Sequence, residues 1–504
     1  MTKEISQLLP WLPFIPLAAS LIFLLAGNHR LARKIIFALG TLPGLALGFV
    51  LASVVITPAG ADPVVLTAWD EFFCADGVSV LMMLCTFFFV FAVGVYSFPY
   101  LRRQHEDGRV TERGVRIYFF LLLVFCSSLA WMVISNNLLV MFVAVEGSTI
   151  VTALLVALYR TRASLEAAFK YNLLLVMAIM FALMGTVLIF VEMSERAPGL
   201  TGIHLLEIGR VATLIPAHIA LTVAALFICA FGTKGGMFPF HAWLPDAHSE
   251  APEPVSALLS GVVITIGAYC LVRIVALFTP HYQSVVLLVA AMASISILVG
   301  ILMAIVQDDL KRLLAYSTIS QIAYIFEGIG LGTYLGIYGG LFHAFTHLLA
   351  KGLLFFCAGA IVYRLGIRRI SELGGLSRKM PVTAVCFFIA SFSMGSVPFF
   401  AGFMSKYTII LAVGNSRIWR ALGISAIGGL LTLACMVWAA YRVFWGAESE
   451  KVRALEPGGR EMPGAMMATM VTVAALIVVV GVYPAVLYPL LDSATRSILA
   501  VFSL

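Results

Sequence analysis

Apolar runs of about 20 residues, the length that crosses the hydrocarbon core of a bilayer as a helix, follow one another along almost the whole chain. That succession constrains the fold more than any single residue does. Inside a bilayer no water is on hand for backbone N–H and C=O groups, so a spanning segment satisfies them within itself, and runs of this length do so as α-helices. Their spacing predicts about 14 helices, near 10–27, 33–57, 78–97, 115–134, 137–159, 167–192, 215–240, 254–278, 282–306, 310–330, 333–363, 380–410, 419–446 and 462–488. Only 11% of the 504 residues are charged, against 62% hydrophobic, whereas soluble domains carry about 25% charged residues. A soluble globule is excluded. The expectation is an all-α polytopic membrane protein, with residues 1–504 forming a single membrane domain. The first run, Pro10 to Gly27, has no small-residue cleavage site and is read as a retained helix rather than a signal peptide.

The formal net charge of +7 needs no nucleic-acid partner, because the basic residues gather in alternate connections. One set holds Arg30, Arg33 and Lys34; Arg102, Arg103, Arg109 and Arg113; Arg160 and Arg162; Lys311 and Arg312; Arg364, Arg368, Arg369, Arg378 and Lys379; and Lys451, Arg453 and Arg460. The other set is poorer: 58–76 carries Asp62, Asp70, Glu71 and Asp76 with no basic residue, and Arg417 and Arg420 are its exceptions. By the positive-inside rule the first set faces the cytoplasm. The chain is therefore expected in the inner (cytoplasmic) membrane, with both termini on the non-cytoplasmic side. Cys74, Cys85, Cys126, Cys229, Cys270, Cys357, Cys386 and Cys435 stand singly, with no C-x-x-C and no Cys/His cluster. No iron–sulfur, haem or zinc cofactor is expected in this chain. All but Cys74 fall in apolar runs, where a cysteine serves as a small buried hydrophobe.

Charge inside these runs is costly, since a lysine at the centre of a membrane helix is disfavoured by roughly 2.5 to 3.5 kcal/mol. Lys234 nevertheless lies in FGTKGGMFPFHAWLPDAHSEAPEPVSALLSG, residues 231–261. Pro239 follows it, has no N–H to offer the carbonyl of Gly235, and breaks the helix beside the charge. Lys406 and Pro398 repeat the combination in the twelfth run, which crosses in the opposite direction to the seventh, although here the lysine follows its proline. Broken helices at corresponding places in two halves are the pattern of an inverted repeat around an ion path. Glu146, mid-run in LLVMFVAVEGSTIVTALL, is the natural partner of Lys234. Such a pair is either a proton-exchanging site, since a lysine in low dielectric can release its proton near neutral pH, or a static ion pair locking two helices.

LFHAFTHLLAKGLLFF places His343, His347 and Lys351 at i, i+4 and i+8, along one helix face. That suits a chain of proton carriers; hydrogen-bonded core histidines are the plain alternative, and a metal site would lack a nearby carboxylate. Lys406 stands close enough to a predicted helix end to snorkel to the surface. Lys170, four residues after Glu166, reads as half of an interfacial ion pair, and Asp308, Asp309, Lys311 and Arg312 read as topology and capping groups. Glu327 stands in an apolar-flanked stretch after Gln321. HAWLPDAHSEAPEP, with His241, Asp246, His248, Glu250 and Glu253, is stiffened by Pro245, Pro252 and Pro254. It is read as a structural loop that feeds protons from the cytoplasm, rather than a metal or hydrolytic site.

Residues 231–261 resemble the motif shared by the antiporter-like subunits of respiratory complex I, group 4 membrane-bound nickel–iron hydrogenases and Mrp-type sodium/proton antiporters. QDDLKRLLAYSTISQIAY, HAFTHLLAKGLLFF, AGFMSK and DGVSVLMML resemble further motifs of that family, from residue 76 to about residue 410. Through VAVEGSTIVTALLVALYRTRASLEAAFKY the chain is most similar to the F subunit of the hydrogenase-4 and formate hydrogenlyase group. The resemblance implies helices 1–3 in residues 1–114, two inverted five-helix repeats in 115–278 and 279–447, and a final loop and helix in 448–504. Helices 7 and 12 are the broken ones. It implies a proton path in which Glu146 is the fifth-helix glutamate, Lys234 the seventh-helix lysine, His343, His347 and Lys351 the central relay and Lys406 the terminal lysine. Lys170, His241, Asp246, His248, Thr265 and Asp309 are accessory candidates. Thr265 stands where family members commonly carry a lysine in the eighth helix, so the link from Lys234 to the eleventh helix needs water or another group. The implied partners are other membrane subunits and a hydrophilic redox arm of the nickel–iron hydrogenase or complex I kind, set in the lipid bilayer. The implied function is that of a non-catalytic subunit coupling electron transfer in its partners to proton movement. The alternatives are an Mrp-type sodium/proton antiporter subunit and a structural anchor or energising partner with no proton path of its own.

Overall fold

The computed structural model describes residues 2–25, 29–58, 61–197, 199, 203–211, 214–274, 277–278, 281–454 and 461–500. Gly27, the expected end of the first helix, and Arg460 of the basic loop lie outside the described residues. The spans are α1 (Phe14–Leu25), α2 (Arg30–Val55), α3 (Gly77–Glu106), α4 (Glu112–Ile134), α5 (Leu138–Val156), α6 (Arg162–Arg196), α7a (Ala217–Lys234) with α7b (Trp243–Glu250), α8 (Glu253–Ile274), α9 (Gln283–Ile305), α10 (Leu310–Gly330), α11 (Tyr334–Leu365), α12a (Pro381–Met394) with α12b (Ala401–Asn415), α13 (Trp419–Phe444) and α14 (Gly464–Val482). Among the described residues 12 helices are long and apolar enough to cross a membrane, and α10 with the two halves of α12 completes the set. The protein is an all-helical, multi-pass membrane protein.

Several helices start where the sequence offers a side-chain acceptor for their first free N–H groups. Thr111 caps α4, Asn137 caps α5, Thr161 caps α6, Asp309 caps α10 and Thr333 caps α11. Two helices outrun their apolar stretches. The expected end of the third helix at residue 97 is corrected to Glu106, and the sixth runs on to Arg196. A count of apolar residues sees the hydrocarbon-embedded part of a helix and misses its polar extension into the headgroup layer. The last span is shorter than expected and is followed by a helix, Tyr488–Ala500, that packs on α3: a Cβ at Gly77 would lie 2.5 Å from the backbone nitrogen of Ala494.

The outer helices present large apolar side chains outward, Leu31, Leu39 and Phe49 on α2 and Leu165, Phe169 and Met177 on α6, as a lipid-facing surface requires. Helices α8, α10 and α11 are enclosed by the others, and this is where polar side chains concentrate. A short hairpin, Leu66–Ala68 paired antiparallel with Phe73–Ala75, leads into α3. Just after it, Asp76 binds Arg273 of α8 through two bonds, of 2.5 and 2.6 Å. Arg273 also bonds Ser79 at 2.8 Å and lies over the Tyr269 ring. This buried pair fastens α8 to α3.

Both expected helix breaks are present, and they share one cap. In α7 the N–H of Gly236 bonds the carbonyl of Thr233, and the N–H of Met237 that of Gly232. In α12 Ser396 bonds Ser393 and Val397 bonds Phe392 in the same register. Gly236 and Ser396 take the left-handed conformation, at φ 71° and 61°, which makes both ends Schellman caps. Lys234 and Met394 thus occupy the same position, the last residue of a half-helix. Helix α8 lies against the first break. A Cβ at Gly267 would sit 2.7 Å from the carbonyl oxygen of Phe231 and 2.8 Å from the nitrogen of Gly235. Gly267→Ala is therefore expected to destabilise the protein by about 1–3 kcal/mol through overpacking. Gly423→Ala, whose added carbon meets nothing within 4 Å, should stay within about 0.5 kcal/mol. Thermal unfolding of the detergent-purified protein compares the two.

Candidate functional site

Lys234 ends α7a and is buried. A cation at the C-terminal end of a helix meets the negative end of its dipole, which offsets part of the cost of burial. The ammonium donates to Thr149 Oγ1 at 2.7 Å and lies 6.0 Å from the centre of the Tyr171 ring. Thr149 is on α5, three residues after Glu146, so both face the same side of that helix. The expected direct pair of Glu146 with Lys234 is corrected: among the described residues no ion pair joins them, and Glu146 Oε2 is a buried atom with no protein partner. The threonine hydroxyl accepts from the ammonium while the carboxylate side chain stays half-buried.

The next step is expected to be awkward at Thr265, and its hydroxyl is indeed turned inward. It donates to the carbonyls of Val262 at 2.7 Å and Gly261 at 3.2 Å, in the stretch where α8 widens to a π-helix over Leu259–Val263. A turn earlier, Ser260 Oγ meets Thr318 Oγ1 of α10 at 2.8 Å. The adjacent Ser317 receives a short hydrogen bond from Lys351 of α11, which also donates to the Leu314 carbonyl at 3.1 Å. From Lys351 the line follows α11. His347 has both ring nitrogens buried without a protein partner, and its ring centre is 6.2 Å from that of His343. His343 Nδ1 lies 2.9 Å from Ser405 Oγ, with Thr346 Oγ1 at 3.1 Å from the same oxygen. Ser405 adjoins Lys406.

Lys406 is 1% exposed, so the alternative in which it snorkels to the surface does not hold. Its ammonium donates to the Met394 carbonyl at 2.6 Å and lies 4.8 Å from the centre of the Tyr324 ring. Met394 stands in its cap where Lys234 stands in the other. The lysine that follows its proline in sequence thus brings its charge back to the place held by the lysine that precedes its own. Lys234, His343, His347, Lys351 and Lys406 are all buried: the last four are connected along α11 and through Ser405, and Lys234 lies at the other break with Glu146 on the facing helix.

Residues 135–432, which contain this whole series, match the family described as NADH:quinone oxidoreductase/Mrp antiporter, TM. The chain belongs to this family of antiporter-like membrane subunits. It is 32% identical to NADH-quinone oxidoreductase subunit N of Desulforudis audaxviator, over 81% of this chain and 80% of that protein. It is 31% identical to a hydrogenase-4 component F homolog of Methylacidiphilum infernorum, over 76% and 82%. In fold it matches a chain of an archaeal respiratory complex, the membrane-bound sulfane sulfur reductase, with a TM-score of 0.84 and 26% identity over 99% of both chains. A chain of the Mrp complex from a Dietzia species shares the fold at a TM-score of 0.85, with 22% identity over 99% of both chains. These structural matches are subunits of multisubunit membrane complexes.

The remaining candidates of this antiporter-like subunit lie beside the series. The expected histidine-rich loop is corrected to a single 3-10 turn, Phe240–Ala242, followed by α7b, because the N–H groups from Trp243 onward find helical partners. His248 is buried within α7b and stacks on Phe355 at 4.7 Å, while His241 is only partly buried. Lys170 is an exposed ion-pair partner of Glu166 at 2.9 Å and Asp246 at 3.5 Å, tying α6 to α7b. Asp309 caps α10 and pairs with Arg368 at 2.7 Å. Lys311, read as a topology group, is instead buried, 3.6 Å from Glu253, and donates to the Ala251 carbonyl at 2.6 Å. What the sequence reading missed are the hydroxyl partners Thr149, Ser260, Ser317, Thr318 and Ser405. Their one signal is density, the run Ser317, Thr318 and Ser320 inside YSTIS of α10.

Thr149→Val keeps the shape of the side chain and strips Lys234 of a buried acceptor. It is expected to cost about 1–3 kcal/mol. Thr186→Val, which removes only a bond to its own helix carbonyl at Ala182, should cost less. The unfolding temperatures of the two purified variants decide it.

Proposed function

We propose that the chain is the proton-translocating membrane subunit of a redox-driven complex of the group 4 hydrogenase or complex I kind, with electron transfer confined to partner subunits that include a hydrophilic redox arm. The observation that carries this reading is the matched pair of breaks: two half-helices with the same cap, each with a buried ammonium at its last residue, joined by His343, His347 and Lys351. Likeness to a hydrogenase-4 component F homolog and to a respiratory sulfane sulfur reductase complex favours the redox-driven kind. The matched caps also support residues 115–278 and 279–447 as two inverted repeats. The Arg- and Lys-rich connections face the cytoplasm of the inner membrane in this reading, with both chain termini on the other side.

In this mechanism a charge movement in a partner subunit acts first on Glu146 and Lys234. When negative charge near Lys234 is withdrawn, holding an ammonium in the low-dielectric interior becomes more costly and the proton leaves. The hydroxyls of Ser260, Thr318 and Ser317 link α8 to α10 and to Lys351. His347, with two free ring nitrogens, accepts a proton on one and gives one up from the other. His343 and Ser405 lead on to Lys406. Each charge moved against the membrane potential costs about 2.3 kcal/mol per 100 mV, and the partner reaction supplies that energy.

The test uses the complex isolated through a tag on this chain, reconstituted in vesicles and offered NADH, hydrogen and reduced ferredoxin in turn. Lys234→Met should abolish proton movement while the complex still assembles; pumping at the wild-type rate would overturn the reading. Likeness to a Na(+)/H(+) antiporter component of Alkalihalophilus pseudofirmus, 28% identical over 93% of this chain, supports a second reading as an Mrp-type exchanger. Sodium-dependent pH changes without any electron donor would establish it instead. A further pair of variants locates the crossing between the halves. Ser260→Ala should slow proton movement by about tenfold, equivalent to about 1.4 kcal/mol in barrier, whereas Thr265→Val, which loses a hydroxyl already bonded to its own helix, should leave the rate near that of the wild type.

A further inference from the structure

Glu327 is the one buried carboxylate on α10, and the proton path from Lys234 to Lys406 makes no use of it. Its side chain is 1% exposed. One oxygen, Oε2, accepts from Ser425 Oγ of α13 at 2.7 Å. The other, Oε1, is buried with no protein partner, and among the described residues no cation lies within ion-pair distance of either. A carboxylate held among apolar helices, with no cationic side chain within ion-pair distance among the described residues and no helix end to cap, is a costly substitute for a neutral side chain, so packing alone does not account for it.

Its surroundings connect it to Lys406. Tyr324 lies three residues earlier on the same face of α10, and its hydroxyl donates to the carbonyl of Ser425 at 2.6 Å. The face of that ring holds the Lys406 ammonium at 4.8 Å from its centre. Space for the hydroxyl is made by glycine on α13: a Cβ at Gly428 would come within 2.9 Å of the Tyr324 oxygen. Glu327 is also displaced along the bundle in a definite direction. It lies three residues from the end of α10 at Gly330, whereas the basic Lys311 and Arg312 stand at its start. Ser425 lies six residues from the beginning of α13 at Trp419. Both helices therefore place the carboxylate near the end of the bundle away from the basic connections.

We infer that Glu327 is the proton acceptor after Lys406, with Ser425 donating to its carboxylate and Tyr324 holding both α13 and the Lys406 ammonium beside it. This rests on the reading of Lys406 as the last lysine of a proton path. In the step, the Lys406 ammonium loses one proton and becomes the neutral amine, while the Glu327 carboxylate gains one and becomes the neutral acid. The pair passes from one positive and one negative charge to none. Glu327 then releases its proton toward the nearer end of the bundle and regains its negative charge, which draws the next proton from Lys406.

The experiment measures the initial rate of proton movement by the reconstituted complex in four variants. Glu327→Gln retains the shape and an oxygen to accept from Ser425, so a purely structural role would survive it; the expected result is a loss of about tenfold or more in a complex that still assembles. Glu327→Asp restores an ionisable group and should recover most of the rate. Tyr324→Phe leaves the carboxylate and the ring beneath Lys406 in place while removing the bond to the Ser425 carbonyl that positions α13 against them, and should also slow the rate. Lys406→Met tests the underlying reading separately. A wild-type rate in Glu327→Gln overturns the inference, and if that variant fails to assemble, a wild-type rate in Tyr324→Phe does so. If Lys406→Met stops proton movement at the same time, the path stands and only its last member falls; if Lys406→Met also runs at the wild-type rate, the path falls with it.

Discussion

The structure depends on a cation placed against the open carbonyl end of an interrupted helix. A broken helix inside a membrane leaves backbone carbonyls that neither water nor lipid satisfies, and a buried lysine leaves an ammonium with the opposite need. The two costs offset each other when the ammonium sits at the carbonyl end. In α12 the contact is direct, from Lys406 to the Met394 carbonyl. In α7 the lysine is itself the last residue of the half-helix and turns its ammonium to Thr149. The shared cap register fixes both breaks at the same geometry although one is built on glycine and the other on serine.

Everything between the breaks follows from the need to keep those charges away from lipid. Helices α8, α10 and α11 are enclosed by the rest of the bundle, and around Lys351, His347 and His343 the polar groups are short hydroxyls and imidazoles rather than carboxylates. Four lysines are buried in the series or beside it, yet among the described residues only Lys311 of these lies within ion-pair distance of a carboxylate, Glu253. Neutral acceptors hold an ammonium without committing it to a fixed counter-charge, and that leaves its proton free to move. The firm ion pair is elsewhere: Asp76 and Arg273 are bonded twice and hold α8 against α3. In the proposed path, charges that fasten helices are thus separate from charges that exchange protons.

The helical class, the number of spans and the two breaks were legible in the sequence because each rests on a local cause, an apolar run of membrane length or a proline beside a lysine. That Lys234, His343, His347, Lys351 and Lys406 lie inside the bundle was legible for a related reason: a charge or imidazole stands out in an apolar run. What was not legible depends on which residue a neighbouring helix presents. Lys234 turning to Thr149 rather than Glu146, the bridge from Ser260 to Thr318, and the burial of Lys311 all join residues distant in sequence. The equivalence of Lys234 with Met394 was hidden because it is a property of the backbone cap. The histidine-rich segment was misjudged because its prolines suggest a rigid turn, while Pro245 falls in the first turn of α7b, where a missing N–H costs little.

The claim that both breaks serve one continuous path is tested most directly by the rate of proton movement in the reconstituted complex when only the second break is altered, by Lys406→Met. A single path in series predicts that the rate falls to the level of Lys234→Met, with nothing left for the first break to conduct alone. A residual rate near half that of the wild type would mean two independent half-channels, and would contradict the account.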